Sequence, residues 1–520
     1  MENRKHNIFF HLHTVSGIVI SAVLFVMFFA GSFSFFRDDI NNWQHNKKTQ
    51  TDEYLYGDFN RAIKVIDSAY VMQGRTFELS RPYAEKMIIA HMDPTKDSLA
   101  PKKARIHEYV YVDTDKYGIK DYYEGYALGE FIYRLHFLAQ IPYPVGYYIA
   151  GFVSLFFLLA IITGVLVHWK KIVSNFYTFR PKEKLKTMWT DAHTGLGMIG
   201  MPFQFVYALT GAFFLINIFL VAPSVMTLYD NDAEKLYQEL GFMNKQTEFA
   251  NKRATPSLDV NALAKTATAQ FKDFRMTSLE IQHYGDANMQ LTVKGMIPRT
   301  KKFTGIGKVV FNADGKIVAK LDPYGPTSYL DGTRDFLYRI HYGDYAGYSM
   351  KIVSFILGII TCFVIISGVM LWLVARDKKK IDPRKKRFNL KVVRIYLATS
   401  LTMYPITAAT FIAVKLNPAT DIYFLHWFYF IGWLLLSILF YLRKDLGFTN
   451  KYTLLSGSIL GLLIPVVNGI VTGNWFWIAH SKGMFSVFFV DVFWIGLALV
   501  TLYAYFKVSR SQKQIQPNVV

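Results

Sequence analysis

Eight long apolar runs dominate this sequence, at about 8–36, 143–169, 190–222, 348–375, 393–415, 422–442, 452–473 and 484–507. Each is about 20 residues or longer, the length a helix needs to cross a hydrocarbon core. Lipid offers no hydrogen bonds, so such a run must satisfy its own backbone as a helix. The fold class that follows is an α-helical polytopic membrane protein in contact with membrane lipid. Composition agrees, since 52% of the 520 residues are hydrophobic and 17% are aromatic. Tyr and Trp gather at the run ends, where an interfacial belt would lie.

The net charge of +20 fits nucleic-acid binding only until the basic residues are located. They follow runs two, four, six and eight, as "HWKKIVSNFYTFRPKEKLK", "ARDKKKIDPRKKR", "LRKDLGFTNK" and "FKVSRSQKQ". The short opposite connectors, "LNPATD" and "GNWFWIAHSKG", hold a single lysine. Lys/Arg bias puts the basic segments and both termini in the cytoplasm. The charge therefore reads as topology, and nucleic acid is excluded as a partner. The first run follows only Arg4 and Lys5 and shows no clear cleavage site, so it reads as a retained helix, with a cleaved signal as the alternative. The lone cysteine, Cys362, excludes an intramolecular disulfide and any thiolate metal cage. Metal chemistry falls to histidine.

The chain also repeats itself. "HTVSGIVISAVLFVMFFAGSF" aligns with "HTGLGMIGMPFQFVYALTGAF", so His13, Gly17 and Gly31 match His193, Gly197 and Gly211 at identical spacing. "FIYRLHF" aligns with "FLYRIHY", matching Arg134 and His136 with Arg339 and His341. The runs that follow end in "TGVLVHW" and "SGVMLWL". A duplicated unit of helix, external insertion and helix accounts for all of this. Each insertion opens on a helical segment, "DFNRAIKVIDSAY" or "DVNALAKTATAQF". Alternating stretches follow, "EYVYVDTD" in the first and "MQLTVKG" in the second. Asp-Gly within "GKVVFNADGKIVAKLDP" predicts a hairpin. The plan is a first span (1–36), an external α+β module (37–140), spans two (143–169) and three (190–222), a second module (223–345), span four (348–375) and a four-helix extension (393–507).

Four residues turn a helix about 40° past a full turn, and eighteen make about five whole turns. His13, Gly17 and Gly31 therefore share one stripe, as do His193, Gly197 and Gly211. The distal glycine stands about 27 Å from its histidine, almost the thickness of the hydrocarbon core. By topology, His13 and His193 lie near the cytoplasm, and His136 and His341 near the outside. Two histidines from facing helices can bind a haem axially inside a bundle. Arg134 and Arg339 would then hold propionates, and the glycines would make room for the porphyrin. A competing reading treats the histidines and arginines as interfacial residues and the glycines as helix-packing sites. His168, matched by Trp372, is a further inner-ligand candidate. His11 points about 200° away from His13 and is set aside.

The H-x-x-x-G opening, the "LH" before span two, the "TG" late in spans two and three, and the "DAH" opening span three resemble the PepSY-associated transmembrane family. The helix-plus-hairpin insertions resemble PepSY modules. The resemblance covers about residues 5–376 and leaves the last four spans outside. It implies an iron-regulated protein of the bacterial inner membrane. It also implies a likeness to ferric-siderophore reductases that carry two b-type haems, one held by His13 and His193 and the other by His136 and His341.

The function expected is transmembrane electron transfer through two b-type haems to a periplasmic ferric chelate, such as a siderophore, which gives up its iron on reduction. No G-x-G-x-x-G follows a strand, so the donor is a separate quinol or soluble reductase. Two alternatives are a transporter of iron chelate or metal, and a non-catalytic regulator built on the external modules. Asp491 is the main carboxylate within a span that transport could use.

Overall fold

The computed structural model describes residues 2–48, 54–81, 87–171, 180, 185–239, 247–253, 258–298, 301–327, 329–343, 345–377 and 381–515. Parts of the basic segments after spans two and four (172–179, 181–184 and 378–380) lie outside the described residues. Among the described residues, eight helices are long and apolar enough to cross a membrane. They are Glu2–Ser34, Val145–His168, Leu185–Leu228, Gly347–Ala375, Pro383–Leu416 in two pieces, Ile422–Leu442, Leu446–Thr472 and Phe485–Ile515. The protein is a multi-pass membrane protein.

The fifth span differs from the continuous run expected. It starts ten residues earlier, where the Asp382 side chain caps the Arg384 N–H and Pro383 supplies a preset first turn. It then breaks into Pro383–Leu401 and Met403–Leu416. Pro405 explains the break, because it lacks the N–H that would bond the Leu401 carbonyl and its ring crowds that oxygen.

Small residues let the spans close up. A Cβ on Gly358 would lie 2.2 Å from Ser32 Oγ, so spans one and four touch at backbone distance. A Cβ on Gly151 would lie 2.4 Å from Ile216 Cγ2, which joins spans two and three in the same way. Gly457 sits against the Tyr404 ring and Gly461 against Trp494, locking spans five, seven and eight.

The chain divides into two compact units. The membrane unit holds Met1–Asn46, Ala127–Val221 and Ile340–Val520; the other holds Lys47–Tyr126 and Ala222–Arg339. The short helix Arg37–Gln44 thus belongs with the spans rather than with the first insertion, and its polar side chains account for this. Arg37 pairs with Glu130 at 2.7 Å. Asp39 accepts from the Tyr348 hydroxyl at 2.6 Å and the Ser486 hydroxyl at 2.7 Å. Trp43 donates to Asp491 at 2.8 Å, and Asn468 donates to the other carboxylate oxygen at 2.8 Å. Lys415 donates to the Trp43 carbonyl and lies over its ring. Buried polar groups need such partners; Glu130 comes from the short helix Leu128–Leu135, and the others come from spans four, five, seven and eight. The last four spans therefore grip the segment that leaves span one.

The second unit is one antiparallel sheet of strands β1 (Phe77–Ser80), β2 (Met87–Met92), β3 (Glu108–Asp113), β4 (Ile119–Asp121), β5 (Arg275–Gln282), β6 (Gln290–Met296), β7 (Ile306–Phe311) and β8 (Ile317–Leu321). Its order is β4-β3-β2-β1-β5-β6-β7-β8. The two insertions join edge to edge through β1 and β5, with Leu79 opposite Leu279, instead of standing apart. The Asp-Gly turn forms as expected, with Gly315 at φ +76° between β7 and β8. One core serves both insertions, with Ile63, Ile66, Ala264 and Ala267 of two helices against Leu79, Leu279 and Val293.

Those helices, Phe59–Ala69 and Val260–Thr268, cap themselves and each other. Asp58 accepts from the Arg61 N–H and Asp259 from the Ala262 N–H. Asn60 donates to Asp259 at 2.7 Å and Asn261 donates to Asp58 at 2.8 Å. The Asn oxygens accept from the opposite helix's first N–H, Phe59 to Asn261 and Val260 to Asn60.

Candidate functional site

Spans one and three bring their opening histidines together. The His13 and His193 rings have centroids 6.1 Å apart and planes at 66°. The His13 Nδ1–H donates to the Ala160 carbonyl of span two at 2.8 Å. The His193 Nδ1–H donates to the Val364 carbonyl of span four at 3.0 Å, with Ser367 Oγ at 3.1 Å. Four residues past each carbonyl stands a glycine. A Cβ on Gly164 would lie 3.1 Å from the His13 ring, and one on Gly368 would lie 3.1 Å from the His193 ring. The "TG" and "SG" pairs near the ends of spans two and four were the sequence signal for these seats, and Gly164 and Gly368 were not singled out. His168 follows Gly164 by one turn and is within electrostatic range of His13 and His193. Asp191, two residues before His193, holds Arg180 through two contacts of 2.9 and 3.0 Å.

His136 ends the short helix Leu128–Leu135 before span two, and His341 lies in the helix Tyr329–Tyr342 before span four. Gly31 faces His136, with a virtual Cβ 3.8 Å from the His136 Cβ. The His136 Nδ1–H donates to the Tyr133 carbonyl. His341 bonds Thr210 Oγ1 at 2.7 Å. The Thr210 hydroxyl proton goes to the Val206 carbonyl at 2.6 Å, so Thr210 accepts from the His341 Nδ1–H. Tyr207 and Phe214 flank the His341 ring, at 5.0 and 5.2 Å between centroids. From His13 to Gly31, and from His193 to Thr210, each helix rises about 26–27 Å.

Hydrogen bonds fix one tautomer on all four histidines. Carbonyls and a committed hydroxyl can only accept, so Nδ1 carries the proton and Nε2 keeps its lone pair. Nε2 has no hydrogen-bond partner among the described residues on any of the four. Desolvation pushes His136 down to about 4. Desolvation, with the nearby His136 charge, pushes His341 to about 3. Both are therefore neutral near pH 7, the form in which imidazole binds metal.

The other expected residues divide. Among the described residues, a side chain on Gly17 would meet nothing within 4 Å, and one on Gly197 only Val364 at 3.9 Å. A Cβ on Gly211 would lie 2.7 Å from Ser154 Oγ, so Gly211 lets spans two and three approach closely. Arg134 is 3.7 Å from Glu130. Arg339 stacks on the Phe303 ring, 4.2 Å from its centroid, and donates to the Phe303 carbonyl within the sheet unit.

A family model described as the PepSY-associated TM region matches residues 10–375. The chain belongs to the PepSY-associated transmembrane family. The match takes in all four paired histidines, both insertions and spans one to four of this family member, and ends before the four-span extension. A comparison with curated proteins returns no match.

Proposed function

We propose that this family member holds two b-type haems and carries electrons across the bacterial inner membrane to a ferric chelate such as a siderophore. The observation that carries this reading is the common state of the four histidines: Nδ1–H engaged, Nε2 lone pair available. Nδ1 bonds to carbonyls and hydroxyls orient metal-binding imidazoles and raise their basicity. In further support, the His13 and His193 ring centroids lie 6.1 Å apart.

His13 and His193 would hold the inner haem, with His168 close by, and His136 and His341 the outer. Bound haem iron would supply one-electron chemistry at both levels. Arg134 is the residue suited to a propionate, while Arg339 would first have to leave Phe303. Lys/Arg bias keeps both termini cytoplasmic, which sets the donor, a quinol or a separate reductase, on the inner side. The insertions are PepSY-like modules from a duplicated helix–insertion–helix unit. In support, each supplies one self-capped helix and four strands at matched places. Transport is the weaker reading, because Asp491 is committed to Trp43 and Asn468.

The test is the visible spectrum of the protein purified in detergent. Dithionite reduction is expected to give sharp b-type bands. His193→Ala should remove one centre and His341→Ala the other. A colourless protein, or variants that lose neither centre, would overturn the reading. In liposomes loaded with reductant, ferric chelate added outside should yield Fe(II), and a rate equal to empty liposomes would remove the proposed substrate.

A further inference from the structure

The sheet unit carries a separate set of metal-competent donors. His91 lies in β2 between Ala90 and Met92, which are both buried in the core, so by strand alternation its ring points the other way. It pairs with Tyr109 of β3. His107, two residues before Tyr109, is therefore its diagonal neighbour on the same face. The two imidazoles stack at 5.8 Å with planes 15° apart. Asp93, just past β2, places Oδ1 3.3 Å from His107 Nδ1 and 3.9 Å from His91 Nδ1. One ligand atom from each residue lies within 4.8 Å of the others.

Those separations suit a shared ion. Donors about 2.1 Å from one metal are about 3.0 Å apart at a right angle and about 3.4 Å apart at a tetrahedral angle. Both imidazoles are exposed, so small ring rotations can close the rest.

The backbone beneath the donors is held in place. Arg75, only 1% exposed, sends its guanidinium to the Asp93, Ile106 and Lys103 carbonyls at 3.4, 3.1 and 3.0 Å. Ile106 is the residue before His107. The Asp93 N–H donates to the Thr76 carbonyl at 2.8 Å. One buried cation thus ties together the two loops that present Asp93 and His107, so little ordering is left for a ligand to impose. Glu78, which pairs with His91 across β1, is 3.6 Å from Lys294, so the donor set is two nitrogens and one carboxylate.

We propose that His91, Asp93 and His107 bind one divalent transition-metal ion of the Zn(II), Cu(II) or Ni(II) class, with its remaining positions open to solvent. Imidazole selects these ions. Calcium and magnesium require mostly oxygen donors and are poorly served here. The site is independent of the haem reading.

The test uses the full chain in detergent, without a histidine tag and stripped by chelator. Zn(II) titrated calorimetrically should show one equivalent that disappears in the His91→Ala/His107→Ala double variant and weakens at least tenfold in Asp93→Asn. Cu(II) added to the same samples should show hyperfine coupling to two nitrogens in the parent and one in His107→Ala. Circular dichroism melting should be unchanged, since no donor lies in the core. Equal zinc stoichiometry and affinity in parent and double variant, or copper coupling indifferent to His107, would overturn the proposal.

Discussion

The two histidine pairs occupy matched sequence positions, but only the inner pair keeps matched surroundings. His13 and His193 each donate to a backbone carbonyl of the next span, with a glycine four residues on. At the outer level, His136 uses the Tyr133 carbonyl and faces Gly31. His341 instead uses the Thr210 hydroxyl between two aromatic rings, and Gly211 is taken by Ser154. A carbonyl is present whatever the side chain, so the inner geometry survives sequence drift. The His341 partner is a side chain, and one substitution can remove it.

The largest expected effect separates tight glycines from open ones. Gly164→Val would push a side chain into His13; under the two-haem proposal it should abolish the inner centre and remove about half the b-type absorbance, while Gly17→Ala should change nothing. Equal spectra from both variants would remove the distinction. Next, Thr210→Val strips the acceptor from His341 and should weaken haem retention at the outer level about 10–100-fold. Ser367→Ala leaves His193 its Val364 carbonyl and should have little effect, as competition with a haem-accepting protein would measure.

Gly211→Ala should cost about 1–3 kcal/mol by overpacking against Ser154 and leave the spectrum alone. A lost haem with unchanged melting would assign Gly211 to the cofactor. The smallest effect lies in the sheet unit. Asn261 beside Asp58, and Asn60 beside Asp259, hold both carboxyls below the usual range. A depressed folded value stabilises above the unfolded value near 3.9 and loses that contribution as pH falls through the folded value. The melting midpoint should therefore drop below about pH 4. Asn60→Ala with Asn261→Ala should flatten that drop.

Local signals made much of the fold legible. Eight apolar runs name eight helices, Asp58 and Asp259 mark two helix starts, and Asp314-Gly315 marks a hairpin. The break at Thr402 was readable from Pro405, although apolarity alone runs across it. The joining of the insertions was not legible, because β1 is four residues long and its partner β5 lies about 200 residues away. Within the site, periodicity put His13 and Gly31 on one stripe. It could not name Ala160, 147 residues from His13, as the partner, or show that Gly211 meets Ser154. Those facts depend on how neighbouring helices are rotated, which no single helix encodes.

The β1–β5 seam also sets a timetable for synthesis. Leu79 leaves the ribosome 200 residues before Leu279, with spans two and three between them. At about 5–20 residues per second, the first insertion waits about 10–40 s with the β1 edge unpaired. During that interval an open strand stands on one side of the membrane with its partner not yet translocated. A chaperone on that side, or a second nascent copy offering the same edge, would meet the chain in this window.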